Sequence, residues 1–123
     1  MARVDTSTRI FGWKTTLPLA FAPSAMQRLT GDEGELGNVR AAVKLGLNMT
    51  LSSQSTTSLE DVMAAAREQA GGDAVSPKLW FQIYLTGDWE KNTNLIKRAE
   101  GESTADWLRN GVRVLTKMGS CWV

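Results

Sequence analysis

The sequence predicts an α/β fold of about three to four βα units around a parallel sheet. Three observations predict it. First, the motifs Ala22-Pro23-Ser24-Ala25-Met26, Leu51-Ser52-Ser53 and Phe81-Gln82-Ile83-Tyr84 recur at nearly one spacing. Pro23 to Ser52 is 29 residues (52 − 23) and Ser52 to Gln82 is 30 (82 − 52). Second, each motif follows a short apolar run and precedes a segment of helical periodicity, which is the rhythm of a βα unit. Third, polar side chains fall where each strand should end, and parallel α/β architectures bind ligands at the carboxyl ends of strands. The spacing thus predicts a fold class and a site together.

The elements follow in order. Residues 1–16 are polar apart from Ile10-Phe11-Gly12-Trp13 and read as a lead-in segment or short hairpin. Leu17-Pro18-Leu19-Ala20-Phe21-Ala22 is an apolar run stopped by Pro23, as suits a buried parallel strand. Pro18 falls at its start, where a missing N–H is tolerated. Gly31-Asp32-Glu33-Gly34 opens a helix with acidic residues where the dipole favours them. Leu36, Val39, Ala42 and Val43 share its inner face, and Gly46 ends it. Leu47–Ser52 is the second strand. Ser58 caps the next helix and Asp61 completes a capping box, with Thr57 as the alternative cap. Leu59, Val62, Met63 and Ala66 line that helix. Gly71–Pro77 is a loop, and Leu79–Leu85 is a strand rich in aromatic and branched residues. Gly87-Asp88 begins a third helix with the stripe Leu95, Ile96 and Ala99, and Gly101 follows its end. Beyond it, Ser103 can cap a short helix carrying Trp107 and Leu108, and Gly111 can release it into a fourth strand, Val112–Thr116.

The chain has 123 residues, about half the roughly 250 of a complete (β/α)8 barrel. Three or four units do not close such a ring, and the marginal strands stay open. The expected architecture is therefore a partial (β/α)8 barrel, truncated or dependent on a partner. Net charge is +1, from 14 basic and 13 acidic residues without a long single-sign block, so neither nucleic acid nor an anionic membrane is an expected partner. No apolar stretch approaches the roughly 18 residues of a membrane span, and Met1–Asp5 lacks the apolar core of a secretory signal. Cys121 is the single cysteine, which fits an intracellular, cytoplasmic protein, with peroxisome and mitochondrion as alternatives. With no histidine and one cysteine, a Cys/His zinc site is excluded, and so is the commonest general base.

The motifs together resemble the FMN-dependent α-hydroxy acid dehydrogenase family, which includes glycolate oxidase and flavocytochrome L-lactate dehydrogenase. The likeness runs from Val4-Asp5-Thr6-Ser7-Thr8 and Phe11-Gly12 through Leu19-Ala20-Phe21-Ala22-Pro23-Ser24-Ala25-Met26-Gln27. It continues with Gly34-Glu35, Met49-Thr50-Leu51-Ser52-Ser53, Ser58-Leu59-Glu60-Asp61-Val62, Trp80-Phe81-Gln82-Ile83-Tyr84 and Lys97-Arg98-Ala99-Glu100. The resemblance divides the chain into 1–101, the N-terminal part of the barrel, and 102–123, a divergent tail that is either a fourth strand or sequence misjoined near Gly101.

The resemblance implies a (β/α)8 barrel holding FMN at its strand ends and oxidising a small 2-hydroxy acid to the 2-oxo acid. It places the Pro23-Ser24-Ala25 backbone beside the flavin ring, with Ser52 and Gln82 on the ring's polar edge. Tyr84 is implied as a cofactor- and substrate-facing hydroxyl, and Gln54 stands where some members carry a tryptophan over the substrate. Ser and Gln can grip a ring edge without adding net charge, while the cofactor carries the electrons. The family's proton-abstracting histidine and its carboxylate-binding arginine have no counterpart here, so no catalytic or metal residue is assigned. The chain is by family an FMN-dependent (S)-2-hydroxy acid oxidase or dehydrogenase; the alternative is a non-catalytic half-barrel that docks onto itself or onto a completing half-barrel.

Each motif alone has a plainer reading. Ser52-Ser53 could be a strand-end turn, Gln82 a buried amide with a backbone partner, Tyr84 packing, and Pro23 a strand stop. Trp13, Trp80, Trp89, Trp107 and Trp122 read as packing, and Ala22, Met26 and Met49 as core.

Overall fold

A hairpin opens the chain: β1 (Thr8–Ile10) pairs antiparallel with β2 (Trp13–Thr15), Ile10 opposite Trp13. The computed structural model describes residues 4–10, 13–71, 79–101, 113–118 and 121–122, the last two segments by backbone alone. The expected short hairpin is therefore present. It is tied to the far end of the first helix, because Thr15 Oγ1 donates to Gly46 O at 3.2 Å and Thr16 Oγ1 to Leu45 O at 2.5 Å.

The sheet has the order β3-β4-β5-β6-β7. Strand β3 (Ala20–Phe21) is shorter than the apolar run suggests. Prolines at 18 and 23 flank it, and each lacks the N–H a ladder needs. A turn of 3-10 helix (Gln27–Leu29) leads into α1 (Gly34–Leu45). Gly46 ends α1 at φ 65°, and a Cβ there would meet Thr16 Cγ2 at 2.9 Å, so both conformation and space demand glycine. Strand β4 (Asn48–Ser52) follows, then α2 (Leu59–Ala70), β5 (Leu79–Tyr84) and α3 (Trp89–Gly101). Ser58 is the α2 N-cap: its Oγ accepts from Asp61 N at 3.1 Å and donates to Asp61 Oδ2 at 2.7 Å. Asp88 serves α3 in the same way, accepting from Lys91 N at 3.0 Å.

Strands β3, β4, β5 and β6 (Arg113–Met118) are parallel, so the fourth strand exists, one or two residues later than expected. Gln82 pairs with Leu115, an offset of 33 (115 − 82) against the 30 between Ser52 and Gln82. Unexpected is β7 (Cys121–Trp122), which turns back antiparallel along β6 and ends the parallel run. The expected helix at Ser103 with Trp107 and Leu108, and the loop of residues 72–77, lie outside the described residues. Among the described residues no helix is long and apolar enough to cross a membrane.

The strands separate two faces, because successive side chains alternate. Met49, Leu51, Leu79, Phe81 and Ile83 join Val39, Ala42, Leu59, Val62, Met63, Ala66 and Ala99 in one core between sheet and helices. Each fully buried aliphatic side chain contributes about 1.5–3 kcal/mol there. The other face carries Asn48, Thr50 and Ser52 on β4 and Trp80, Gln82 and Tyr84 on β5. Trp80 is buried yet outside the helix-side core; it stacks on Trp13, ring centroids 6.3 Å apart. The hairpin thereby covers the polar face at the amino half of the strands and leaves their carboxyl ends to the loops. Helices α2 and α3 are joined by a two-pronged ion pair, Arg98 Nε and Nη2 each 2.8 Å from a Glu60 oxygen. The guanidinium holds the Glu60 carboxyl below its ordinary pKa.

Three packing expectations fail. Met26 is 52% exposed, Ala22 is exposed, and Trp89 is 74% exposed at the start of α3. The first two lie in the loop after a two-residue strand, so no sheet face encloses them.

Candidate site at the carboxyl ends of the strands

Register assembles the site. Phe21 pairs with Met49, and Ser52 with Gln82. Ser24 and Ser52 each lie three residues past the Phe21–Met49 pair (24 − 21 and 52 − 49), so Ser24, Ser52 and Gln82 reach one level along the strands. The sequence spacing agrees with this register between Ser52 and Gln82 and misses it by one residue between β3 and β4, where it matches Pro23 rather than Ser24 to Ser52. Tyr84, two residues beyond Gln82, is on the same face. The segment after β3 turns outward at that level: Pro23 is half-buried, and Ser24 and Ala25 are exposed. Ser52 and Gln82 are buried and Tyr84 is 45% exposed at the rim.

Ser52 and Gln82 touch. Gln54 N donates to Ser52 Oγ at 3.1 Å, which occupies one lone pair of the hydroxyl and leaves its hydrogen free. That hydrogen goes to Gln82 Oε1 at 3.3 Å, while Ser53 N donates to Gln82 O at 2.9 Å. The Gln82 amide is thereby oriented with Nε2 directed away from Ser52. Nε2 is buried and has no hydrogen-bond partner. An unsatisfied buried donor costs about 1–3 kcal/mol, so Gln82 is not the amide with a backbone partner that the plainer reading offered. A neutral donor at a strand end is suited to a ligand edge bearing carbonyl or ring-nitrogen acceptors. The edge of an isoalloxazine ring is such an edge, and the short Ser24 and Ala25 side chains leave backbone accessible beside it. The residues present therefore fit a flavin.

Three polar side chains from elsewhere set the loops. Gln27 Nε2 donates to Ser24 O at 3.2 Å, and Asn38 Nδ2 of α1 holds Gln27 Oε1. Asn92 of α3, 2% exposed, closes the β5–α3 loop: Nδ2 donates to Thr86 O at 2.8 Å, and Oδ1 accepts from Thr86 N at 3.1 Å. Glu35, in the first turn of α1, is fully buried. Its Oε1 accepts from Gln27 N (3.2 Å) and Thr56 N (2.8 Å), and its Oε2 from Thr56 Oγ1 (2.7 Å) and Thr57 Oγ1 (2.8 Å). Burial alone would raise its pKa, but the donors, Thr56 foremost, outweigh that and bring it to about 2. Thr57 is thus a Glu35 partner, not the α2 cap. Asn92 escaped the sequence reading, and Glu35 entered it only as part of the Gly34-Glu35 helix start, with no role. The one available signal was the Thr56-Thr57 pair, whose partner lies 21 residues away.

A cavity of about 210 Å³ lies beside this site, lined by Ser52, Ser53, Thr56, Leu59, Phe81 and Arg98 among others. Its lining combines Phe81 and Leu59 of the helix-side core with Ser52 at the carboxyl end of β4. Neither Gln82, Tyr84 nor Pro23–Ala25 lines it, and the candidate site rests on register and the unpartnered amide instead. Among the described residues no group of three or more His, Cys, Asp or Glu is placed to hold a metal.

Known proteins bear on this geometry. A family model described as FMN-dependent dehydrogenase matches residues 1–108. A 2-hydroxyacid oxidase of Dictyostelium discoideum is 42% identical over 100 residues, covering 81% of this chain and 24% of that protein. Human 2-hydroxyacid oxidase 1 is 37% identical over 100 residues, 81% of this chain and 25% of that protein. Among solved structures, mandelate oxidase with benzoyl-formic acid superposes with a TM-score of 0.71 at 34% identity, over 92% of this chain and 29% of that one. A Pediococcus acidilactici lactate oxidase gives 0.70 at 31% identity, over 82% and 26%. The chain spans about a quarter of the length of the relatives it matches. Its parallel strands and following helices are a partial (β/α)8 barrel, and the chain belongs to the FMN-dependent dehydrogenase family.

Proposed function

We propose that this chain supplies the flavin-ring portion of a 2-hydroxy acid oxidising site. The single observation that carries the proposal is the buried, unpartnered Gln82 Nε2 beside Ser52 at the carboxyl ends of parallel strands. In this reading Gln82 donates to the polar edge of FMN, Ser52 fixes the Gln82 amide, and the Pro23-Ser24-Ala25 backbone lies along the ring. Tyr84, at the exposed rim, directs its hydroxyl toward the small 2-hydroxy acid. FMN, when bound, accepts the two electrons released as the hydroxy acid becomes a 2-oxo acid. The chain contains no histidine to take the substrate's proton, and loss of a general base costs about 10²–10⁴ in rate. Residues 1–101 carry this role, and the tail of 102–123 adds β6 beside β5 without supplying a residue to it. The single cysteine supports an intracellular setting.

A second reading is favoured by the β3 margin. The strand has two residues, its outer edge has no strand partner among the described residues, and Leu19 and Leu29 nearby are 59% and 82% exposed. A non-catalytic half-barrel that completes itself through a second copy or another half-barrel would use that margin. Sedimentation across concentrations separates the two: a cooperative monomer contradicts the docking reading. The first reading is tested by titrating FMN into the purified chain and following quenching of flavin fluorescence. Saturable binding that is lost in Gln82→Ala supports it; absence of saturation in the unaltered chain overturns it.

A further inference from the structure

Two loops carry the candidate site, 22–30 after β3 and 52–58 after β4, and they come from segments some 30 residues apart in sequence. Three ties join them. Met26 N donates to Gln54 O at 3.1 Å, Arg28 N donates to Thr56 Oγ1 at 3.3 Å, and the Glu35 carboxylate takes donors from both. Of these, Glu35 is the only one that reaches both loops from a third element, α1, and the only charged one. Its bonds to Gln27 N and to Thr56 N end on the same oxygen, Oε1, so a shift of either loop is felt by the other. The first loop needs such a restraint. Met26 adopts the left-handed conformation at φ 52°, the only non-glycine residue with positive φ among the described residues. Such a residue persists only when its surroundings over-determine it. The neighbouring Gln27 then passes the restraint on, since its side chain grips the Ser24 carbonyl.

From this geometry we infer that Glu35 is a positioning residue for the cofactor site: it locks the loop bearing Pro23-Ser24-Ala25 to the loop that follows Ser52, and so sets the gap a planar ring must enter. The inference rests on the flavin reading above. Glu35 touches neither ring nor substrate in it; the residue acts through Gln27, Thr56 and Thr57. Carboxylate chemistry suits the task, because two oxygens can accept from several donors at once, whereas an amide at the same place would present hydrogens to them.

The test compares Glu35→Gln with Ala99→Gly, a buried change on α3 that loosens the core without touching either loop. Two readouts are taken on each purified chain, amide hydrogen exchange and FMN fluorescence titration. Glu35→Gln is expected to speed exchange at the Gln27 and Thr56 amides by on the order of tenfold more than at Leu51 and Phe81 in the β4–β5 ladder, and to raise the Kd for FMN by about tenfold. Ala99→Gly is expected to speed exchange across the chain together and to leave the Kd within about twofold. Uniform or absent loss of protection in Glu35→Gln overturns the coupling, and loosened loops with an unchanged Kd overturn the positioning role. If the unaltered chain takes up no FMN, the cofactor reading itself falls, and the exchange comparison then decides the coupling by itself.

Discussion

Acid should unlock Glu35, and the size of the effect follows from the structure. The carboxyl has an ordinary pKa of 4.5 and about 2 in the folded chain. Burial opposes its charge, but Thr56 through its hydroxyl and its backbone amide, the Glu35 backbone amide and the Thr57 hydroxyl over-compensate. A depressed folded pKa means the unfolded chain binds the proton first, so stability is fully present above about pH 4.5 and is lost as the pH falls toward 2. The difference of about 2.5 units, at 1.36 kcal/mol each, corresponds to roughly 3 kcal/mol at pH 7, of which about 2 kcal/mol has gone by pH 3. That is a large share of the 5–15 kcal/mol typical of a domain. The assay is urea unfolding, followed by tryptophan fluorescence, at pH 7, 5, 4 and 3, on the unaltered chain and on Glu35→Gln. The unaltered chain should lose stability steeply below pH 4.5. Glu35→Gln should be about 3 kcal/mol less stable at pH 7 and should show a flatter profile. Equal stability of the two chains at pH 7, or parallel slopes below pH 4.5, would refute the reasoning.

Other expectations follow from the same contacts. Gln82→Leu should leave stability within about 1 kcal/mol of the unaltered chain in urea melts, because removing the unpartnered Nε2 offsets the lost 3.3 Å Ser52 bond, while FMN quenching disappears. Gly46→Ala should lower Tm through a loss of more than about 1 kcal/mol, since φ is 65° and Thr16 Cγ2 lies 2.9 Å from the new Cβ. Riboflavin should bind this chain as tightly as FMN by fluorescence titration, because Pro23, Ser24, Ala25, Ser52, Gln82 and Tyr84 include no cation to meet a phosphate; a clear preference for FMN would point to a basic group outside this set.

What was legible in the sequence was what local physics or chain-length geometry controls. The Ser58 cap and the Gly46 stop are settled within a turn of chain, so residue type suffices. Strand register was legible to within a residue or so, because parallel strands joined by one helix repeat at similar lengths: the spacing matched Pro23 to Ser52, where the ladder brings Ser24 level, and it matched Ser52 to Gln82 as the ladder does. Burial set by distant segments was not. Glu35 is only a helix-start residue in the sequence; its role appears when Thr56 and Thr57, 21 and 22 residues on, are folded against it. Met26 and Trp89 are apolar but exposed, because a two-residue strand and a helix start offer nothing to cover them. The return of β7 along β6 was legible but went unread: Gly119-Ser120 is a two-residue hairpin signal between Met118 and Cys121, passed over when the segment is taken only as the end of a fourth strand.

The most direct test of the central claim is a nitrogen-15 NMR titration of the chain with FMN, watching the Gln82 side-chain NH2. The account predicts that this resonance shifts first and saturably, together with the backbone amides of Ser24 and Ala25, while the helix-side amides of Val62 and Met63 stay in place. Shifts confined to the cavity lined by Leu59, Phe81 and Arg98, with Gln82 unmoved, would contradict it.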